Sequence, residues 1–262
     1  MSVIQAAVIQ TAPVFGACET NLQQALRLIP AGCELAVLPE LCTTGYQFQS
    51  RDELRDLAES IPDGRTCRML RAHAAATGAT LVAGLAERDG ERLFNSAVLV
   101  RPDGTFDRYH KVHLFWDEKL VFDAGDLGLP VIAACGTTIG LMICFDWFFP
   151  EAAGTLARRG ARVICHPANL VLPHCPDAMP VRALENRVFT LTANRVGSEE
   201  RAGRCLRFIG RSTIASPRAE RLAVLSVDCA EAGSAALDLA LCDPWLTPRN
   251  HVVEDRRPDV YA

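Results

Sequence analysis

The sequence predicts a layered α/β fold in which helices cover the outer faces of mixed sheets. Helical patterns alternate with short apolar strands in the first half of the chain, and this order returns after residue 137. The last predicted strands follow one another directly, as antiparallel hairpins do. Of the 262 residues, 49% are hydrophobic, which is enough apolar material for one large core. No Gly/Ser tract, proline-rich stretch or charge block separates the halves, so we expect a single domain over 1–262.

The first half of the chain has five predicted strands and two predicted helices. Apolar segments bounded by turn residues give the strands, at 3–10, 34–38, 80–85, 94–100 and 106–111. The first helix is expected to begin at a capping box, Thr20–Gln23, and to end at Pro30. The second helix spans 66–77 and is ended by Gly78. A turn at 102–104 joins the last two strands into a β-hairpin.

The second half has six predicted strands, two helices and a distinct ending. The strands are expected at 138–143, 162–166, 189–196, 206–215, 221–227 and 235–241. One helix is expected over 150–159, and Pro180 fits the first turn of another that continues through Arg187. The segment from Pro244 is rich in proline and charge. We expect 244–262 to form a C-terminal arm that lies on the surface or on a partner subunit.

Composition and charge argue against several classes of protein. The formal net charge is −4, and the arginines are scattered rather than gathered in a stripe, so no nucleic-acid partner is expected. No window reaches the roughly 18 apolar residues that a membrane-spanning helix needs. The N-terminus, Met1–Gln5, leads directly into an apolar strand with no basic segment before it, so no signal peptide is expected.

The cysteine and histidine content argues against disulfides and metals. Eleven cysteines, an odd number in a chain with no export signal, fit reduced thiols in the cytoplasm. No Cys-x-x-Cys pair occurs, which argues against a zinc ribbon and against thioredoxin-like redox chemistry. His110 and His113 could offer two metal ligands, but no further cluster supports them. We therefore expect neither a metal nor a cofactor.

One cysteine stands where a reactive thiol is expected. The apolar run 140–143 ends on Cys144, and an aromatic-rich, acid-bearing segment follows at once. A strand that stops on a cysteine and turns into a helix holds the thiol at the helix N-terminus, where the partial positive charge favours thiolate. The alternative is a buried structural cysteine in a hydrophobic strand, the usual place for this residue type.

Two further segments place a charged residue at the end of an apolar strand. Glu40 follows the strand 34–38, and Lys111 ends the strand 106–111. A thiol that attacks a carbonyl or nitrile carbon needs a base, and Glu40 fits that role, particularly if burial raises its pKa. The oxyanion that develops needs a cation or N–H donor, which Lys111 and the backbone of Phe145 would supply. The alternatives are a helix-start or surface carboxylate and a solvated strand end.

Longer motifs surround these three residues. The segments are Pro39-Glu40 followed by Gly45-Tyr46, His110-Lys111-x-His113-Leu114, and Gly140-x-x-Ile143-Cys144-x-Asp146-x-x-Phe149-Pro150-Glu151. Further motifs are Pro167-Ala168-Asn169, Arg182-Ala183-x-Glu185-Asn186 and Phe208-x-Gly210-x-Ser212-x-Ile214-x-x-Pro217. Over nearly the whole chain, this set resembles the nitrilase superfamily of carbon–nitrogen hydrolases, which use a Glu-Lys-Cys triad.

The resemblance implies a fold, an assembly and a set of roles. The fold would be a four-layer α-β-β-α sandwich that pairs across helical faces into a homodimer or a larger homo-oligomer. Cys144 would be the nucleophile, Glu40 the general base and Lys111 the oxyanion stabiliser. Glu118 matches a second glutamate that orients the lysine and the substrate; its alternative is an exposed charge beside Lys119.

The substrate pocket is the least defined part of the resemblance. Trp116, Phe145 and Asn169 are expected to form its walls, and the alternative for each is ordinary packing. The sequence departs from the family pattern at His110, where arginine is usual, and little chemical consequence is expected. It also has Cys144-Phe145-Asp146 where nitrilases proper have Cys-Trp-Glu, a pattern that favours the amidase and carbamoylase branches.

The leading hypothesis is an amidase that converts a small non-peptide amide into a carboxylic acid and ammonia through a cysteine thioester. A nitrilase would share the second half of that pathway, and an N-carbamoyl amidohydrolase would attack a ureido carbon in the same way. The alternative from another class is a catalytically silent binding protein of the same fold. The expected partners are therefore a small amide or nitrile and a second copy of the chain.

Overall fold

Two six-stranded sheets carry the fold in the computed structural model, which describes residues 3–261. Met1 and Ser2 of the N-terminal segment, and Ala262 of the predicted arm, lie outside the described residues. The strands are β1 (Val3–Gln10), β2 (Leu35–Val37), β3 (Thr80–Asp89), β4 (Arg92–Val100), β5 (Phe106–His110), β6 (Val131–Ala134), β7 (Thr137–Leu141), β8 (Val163–Pro167), β9 (Phe189–Ala193), β10 (Ser198–Arg201), β11 (Arg204–Arg207), β12 (Thr213–Ala215), β13 (Arg221–Val224), β14 (Glu231–Asp238), β15 (Trp245–Thr247) and β16 (Asn250–His251). The α-helices are α1 (Cys18–Arg27), α2 (Arg51–Leu57), α3 (Arg65–Thr77), α4 (Glu118–Val121), α5 (Pro150–Arg158) and α6 (Cys175–Asn186).

Both sheets are mixed, as the sequence predicts. The first has the order β14-β1-β2-β3-β4-β5, and the second has the order β13-β12-β9-β8-β7-β6. Parallel pairing joins β1, β2 and β3 in the first sheet and β7, β8 and β9 in the second. The outer strands of each sheet pair antiparallel. Each sheet therefore has a central parallel part, where a helix follows a strand, and antiparallel edges.

Alternation along the strands produces the four layers. In β1, the side chains of Ile4, Ala6 and Val8 lie in the core between the two sheets, whereas Ala7 and Ile9 lie in a second core. That second core is completed by apolar residues of α1 and α3, and α5 and α6 cover the other sheet. The predicted α-β-β-α sandwich with outer helices is confirmed.

Two predicted helix starts are wrong. The first helix begins at Cys18, so Thr20 lies inside its first turn, and the Gln23 side chain donates to Glu19 rather than to the Thr20 backbone. The predicted helix at Pro180 begins five residues earlier, at Cys175, and Pro180 lies inside it. A proline there leaves the carbonyl four residues earlier without its helical donor. That carbonyl contacts the Arg221 guanidinium at 3.4 Å.

The strand predicted over 206–215 is two strands, β11 and β12. Between them Gly210 has φ +59°, and a Cβ there would lie 2.6 Å from the Ser226 carbonyl oxygen. Only glycine adopts this backbone without strain, so the chain turns where an unbroken strand was expected. Other elements that the sequence did not predict are short or polar, such as α2, α4 and β6.

The predicted C-terminal arm is a small hairpin at the surface. From Pro244 onward β15 pairs antiparallel with β16, and most side chains there are exposed, including Trp245 and Leu246. Between β16 and the last described residue, the chain forms turns rather than further strands. Packing of this arm on a partner subunit, and the homodimer itself, stay predictions.

Two expectations from the sequence concern membrane-spanning helices and metal sites. Among residues 3–261, no helix is both long and apolar enough to cross a membrane. Over the same range, three or more histidine, cysteine or carboxylate side chains do not come together as a metal site would require. His110, one of the two candidate ligands, instead lies between the carboxylates of Glu87 and Asp126.

Gly84 of β3 gives a test of the packing that positions the site. A Cβ at Gly84 would lie 2.4 Å from the Glu40 Cα, a backbone atom that no side-chain rotation can move away. We expect Gly84→Ala to lower the free energy of unfolding by about 3 kcal/mol, measured by urea denaturation. Gly233→Ala in β14 is the matched control, because its Cβ meets side chains only at 3.4 Å, and it should change stability by less than about 0.5 kcal/mol. Equal stability of both variants would contradict this account.

Candidate active site

Two strand ends and one helix start bring a lysine and two glutamates together in the interior. Glu40 follows β2, Lys111 follows β5, and Glu118 begins α4. The Lys111 ammonium lies 2.7 Å from Glu40 Oε1 and 2.7 Å from each Glu118 oxygen. All three residues are buried, with relative exposures of 1%, 0% and 5% for Lys111, Glu40 and Glu118. The structure therefore brings these three predicted residues into one hydrogen-bonded cluster and excludes the solvated alternatives for each.

Glu40 has one oxygen engaged and one free. Its Oε1 accepts from Lys111 and from the Asn95 side-chain amide, the latter at 2.7 Å. Its Oε2 is buried and has no hydrogen-bond partner among the described residues. Buried carboxylate oxygens are usually satisfied, so an unpartnered one at a site of this kind is available to accept a proton from a group that enters.

Lys111 is a cation in this environment. Burial alone would lower the pKa of the ammonium, but the carboxylates of Glu118 and Glu40 raise it well above its usual value. The charged form is therefore retained without contact with water. A fixed ammonium in a water-poor site is suited to stabilising negative charge that develops beside it.

Besides Lys111, two hydrogen-bond donors hold the Glu118 carboxylate. The Tyr46 hydroxyl donates to its Oε1 at 2.7 Å, and the Phe115 backbone N–H donates to its Oε2 at 3.0 Å. Burial raises the pKa of Glu118, Lys111 lowers it, and the nearby Glu40 carboxylate raises it again, with a net upward direction. The bonds from Tyr46 and Lys111 favour the ionised carboxylate, and they fix where the lysine stands.

Cys144 occupies a strained turn at the end of β7. It is buried, at 5% exposure, and it begins a short 3₁₀ helix, Cys144–Phe148. Its φ is +39°, an angle that non-glycine residues rarely adopt. The ring of His166 in β8 supports this backbone, since its Nε2 lies 2.9 Å from the Cys144 carbonyl oxygen. Burial lowers the pKa of His166, so the ring is neutral and donates from Nε2.

Asp146 ties the cysteine turn to the lysine strand. Its carboxylate accepts from the Ile143 backbone N–H at 2.8 Å and from the Tyr109 hydroxyl of β5 at 2.7 Å. The His113 side chain and backbone N–H also contact it, at 2.7 and 3.1 Å. One buried side chain thus joins the segment that bears Cys144 to the segment that bears Lys111.

The surroundings of Cys144 act against the thiolate that the sequence predicts. Burial, and then the Glu40 carboxylate, raise the pKa of the thiol well above its usual value, and Lys111 opposes them only in part. These surroundings favour the neutral thiol over the thiolate expected at a helix N-terminus. The helix is a single 3₁₀ turn of five residues, so its dipole is small, and the deep site removes the solvation that a thiolate needs.

The three predicted pocket walls do not all lie together. Phe145 and Asn169 line a cavity of about 20 Å³ that also contains Cys144 and Phe115. Both polar side-chain atoms of Asn169 are buried and lack partners among the described residues, so they are available to a ligand. Trp116 lines a different cavity of about 280 Å³, next to Glu118. Its role as a pocket wall stays a prediction, in a cavity that Tyr46 and Glu118 of the cluster also line.

Several polar residues of the site were given no role from the sequence. Asn95 bonds Glu40, His166 bonds the Cys144 carbonyl, and Asp146 links two segments. Asn95 lies within the apolar strand β4, and His166 lies within β8. A polar residue in the middle of a buried strand is the signal that could have identified both.

The chain matches known proteins over most of its length. A family model described as carbon-nitrogen hydrolase matches residues 5–246. A protein named nitrilase from Pyrococcus abyssi is 48% identical over 98% of this chain and 99% of its own length. A carbon-nitrogen hydrolase structure from Helicobacter pylori has a TM-score of 0.88 and 27% identity, over 99% of this chain and 97% of that one. An amidase structure from Nesterenkonia sp. has a TM-score of 0.80 and 26% identity, over 98% and 94%.

These similarities agree in family while the named activities differ. The family model spans the segments that bear Glu40, Lys111 and Cys144. One relative is named a nitrilase and another an amidase, and both names denote hydrolases of non-peptide carbon–nitrogen bonds. This protein is an enzyme of that class, and the chain belongs to the carbon-nitrogen hydrolase family within the nitrilase superfamily.

Proposed function

We propose that this enzyme is an amidase that converts a small amide into a carboxylic acid and ammonia through a thioester on Cys144. The observation that carries the proposal is the unpartnered, buried Oε2 of Glu40, beside a lysine held by two carboxylates. It offers a base with one free lone-pair site and an oxyanion stabiliser that is fixed beforehand. Because the pKa of the Cys144 thiol is raised, the thiol needs a base to take its proton before it can attack.

Acylation takes place in two steps. Glu40 Oε2 accepts the thiol proton while the Cys144 sulfur forms a bond to the amide carbon, and the carbonyl π electrons move to oxygen. The Lys111 ammonium and the Phe145 backbone N–H stabilise that oxyanion, and loss of one such donor typically costs about 3–4 kcal/mol of barrier. When the carbonyl re-forms, the carbon–nitrogen bond breaks, and Glu40 returns the proton to the departing ammonia.

Deacylation reverses the roles with water in place of the thiol. Glu40 takes a proton from a water molecule, whose oxygen adds to the thioester carbon. The second oxyanion is stabilised by the same donors. Collapse breaks the carbon–sulfur bond, the proton returns to sulfur, and the acid leaves. Glu118 does not touch the reacting carbon in this scheme; it keeps Lys111 in place.

Substrate contacts are proposed for Phe145 and Asn169. Phe145 and Leu172 give the thiol cavity an apolar wall, and the free amide of Asn169 offers one donor and one acceptor. The cavity holds about 20 Å³, so an acyl group beyond the smallest must displace side chains on entry. This favours small, uncharged amides. Trp116 lines the neighbouring cavity beside Glu118, and its role as a wall of the substrate pocket stays a prediction.

A nitrilase is the second candidate. The relative named nitrilase is 48% identical over nearly the full length of both chains, which favours nitrile chemistry more than any residue of the site does. The thiolate would add to the nitrile carbon, and water would then convert the thioimidate into the same thioester with release of ammonia. The N-carbamoyl amidohydrolase stays a further alternative, and its product would include carbon dioxide.

Product analysis separates these activities. We expect ammonia and acid from small aliphatic amides, with nitriles and ureido acids converted at least tenfold more slowly. The measurement is ammonia release, with acid and carbon dioxide determined by chromatography, across paired amide, nitrile and ureido substrates of the same acyl group. Faster conversion of nitriles would replace the amidase by the nitrilase.

Variants at two cysteines test the nucleophile. Cys144→Ala should abolish turnover of every substrate, because no other group can form the thioester. Cys18→Ala is the control; Cys18 is partly exposed in α1, outside the cluster, and full activity is expected. Activity retained in Cys144→Ala would overturn the thioester mechanism.

Glu40→Gln should separate turnover from thiol reactivity. Loss of the base should lower kcat by about 10²- to 10⁴-fold. The same change removes a negative charge that raises the pKa of the Cys144 thiol, so the pKa should fall and thiolate should form at lower pH. The measurement is the rate of iodoacetamide alkylation at Cys144 against pH, by mass spectrometry of the modified peptide.

Glu53→Gln is the control for this experiment. Glu53 pairs with Arg201 near the surface of α2, so its removal should alter neither kcat nor the alkylation midpoint. An upward shift of the midpoint in Glu40→Gln, or an unchanged kcat, would contradict the role proposed for Glu40.

A further inference from the structure

A buried ion pair lies outside the catalytic cluster, between Arg195, which follows β9, and Glu199 in β10. Arg195 Nη1 lies 2.8 Å from Glu199 Oε2, and the two residues are 1% and 6% exposed. The guanidinium also donates to the Pro13 carbonyl at 3.0 Å and lies 4.0 Å from the Phe208 ring centre. Burying two charges gives little or no net stability over an apolar pair, so stability alone is a weak reason for this arrangement.

Glu199 also binds the backbone of the loop after Glu40. Its carboxylate accepts from the Tyr46 N–H at 3.1 Å and from the Gln47 N–H, and its carbonyl accepts from the Gln47 side chain. Gly45 makes the approach feasible: its φ is +85°, and a Cβ there would lie 2.9 Å from Glu199 Oε2. The loop is thus fixed by a carboxylate that Arg195 holds in turn.

The same loop carries a side chain into the catalytic cluster. Tyr46 donates its hydroxyl proton to Glu118 Oε1 at 2.7 Å, and Glu118 binds Lys111 at 2.7 Å. Tyr46 also packs edge-on against Phe208, the ring that lies under the Arg195 guanidinium, with the ring centres 6.0 Å apart. Arg195 therefore reaches Tyr46 by two routes, through Glu199 and through Phe208.

We propose that the Arg195–Glu199 pair positions the Lys111 ammonium, acting through Tyr46 and Glu118, and so sets the oxyanion stabiliser of the reaction. This inference rests on the proposed function, in which Lys111 faces the developing oxyanion. Arg195, Glu199 and Tyr46 are positioning residues, since none of them touches the reacting carbon. Their effect should appear in kcat rather than in substrate binding.

A double-mutant cycle tests the proposal. Tyr46→Phe removes the hydroxyl but leaves the ion pair, and it should lower kcat about tenfold with KM changed less than threefold. Glu199→Gln should lower kcat by a similar factor. The variant with both changes should be no slower than the slower single one, because both act on the same contact. Activity is expressed per reactive Cys144 thiol, so that loss of folded protein is not counted.

The pH dependence of kcat/KM adds a measurement that would not change if Tyr46 and Glu199 only stabilised the fold. Charged and titratable groups that face Glu118 are Lys111, Glu40, Tyr46 and Cys144. The Tyr46 hydroxyl favours ionised Glu118, so its loss should raise the pKa of that carboxyl. The acid limb of kcat/KM should therefore move to higher pH in Tyr46→Phe and in Glu199→Gln alike.

A control variant at Glu53 and a second variant at Glu199 complete this test. Glu53→Gln breaks the ion pair between α2 and Arg201, which lies in β10 like Glu199 but outside the relay. This change should leave kcat and the pH profile unchanged. If Glu199→Gln does not fold, Glu199→Asp keeps the charge beside Arg195 but shortens its reach to Tyr46, and the same effects are expected. Multiplying effects in the double variant, or a lower Tm in the Glu199 variant with unchanged kcat and pH profile, would overturn the proposal.

Failure of this relay can be told apart from failure of the amidase mechanism. The cycle needs any measurable carbon–nitrogen substrate, amide or nitrile. Without one, the pH dependence of Cys144 alkylation serves instead, because the charge of Glu118 acts on that thiol. The two single variants and the double variant should then shift the alkylation midpoint equally. Unequal, additive shifts would overturn the relay even if Cys144→Ala is inactive.

Discussion

The buried ammonium of Lys111 between two carboxylates is the interaction on which the rest of the site depends. An isolated charge in the interior is costly, and here the cation lies within hydrogen-bond distance of both carboxylates. Remove the lysine, and Glu40 and Glu118 face each other as like charges in a low-dielectric site. Without either carboxylate, the ammonium loses one of the two anions that keep it ionised. The arrangement therefore holds only when all three members are in place, which fixes their geometry before a substrate arrives.

The sandwich fold supplies this arrangement because its two sheets pack face to face. Glu40 and Lys111 follow strands of the first sheet, and Cys144 follows a strand of the second. The thiol meets its proposed base only across the layer between the sheets. Asp146 spans that layer, since it binds the Tyr109 hydroxyl in β5 and the backbone beside Cys144. The close approach of β3 to the Glu40 backbone, at Gly84, sets the depth of the carboxylate. The packing of the two sheets therefore also determines the relative positions of Glu40, Lys111 and Cys144.

The strand ends could be predicted from the sequence, and so could the three residues that stand there. An apolar run that stops on a polar residue is a local signal, and Glu40, Lys111 and Cys144 each carry it. The relations between distant segments have no such signal. The bond from Tyr46 to Glu118 joins residues 72 positions apart, and that from Glu199 to Tyr46 joins residues 153 apart. The raised pKa of the thiol has no local signal either, because it comes from burial and from the Glu40 carboxylate, which belong to the assembled core.

Direct observation of the acyl-enzyme tests the central claim, that Glu40, Lys111 and Cys144 act on one substrate carbon. The protein is mixed with a small amide, quenched in acid within milliseconds, digested and measured by peptide mass spectrometry. The account predicts an added acyl mass on the Cys144 peptide that forms before steady-state acid release and disappears as substrate is exhausted. Substrate turnover with no adduct on that peptide at any time, under conditions where deacylation is slowed, would contradict it.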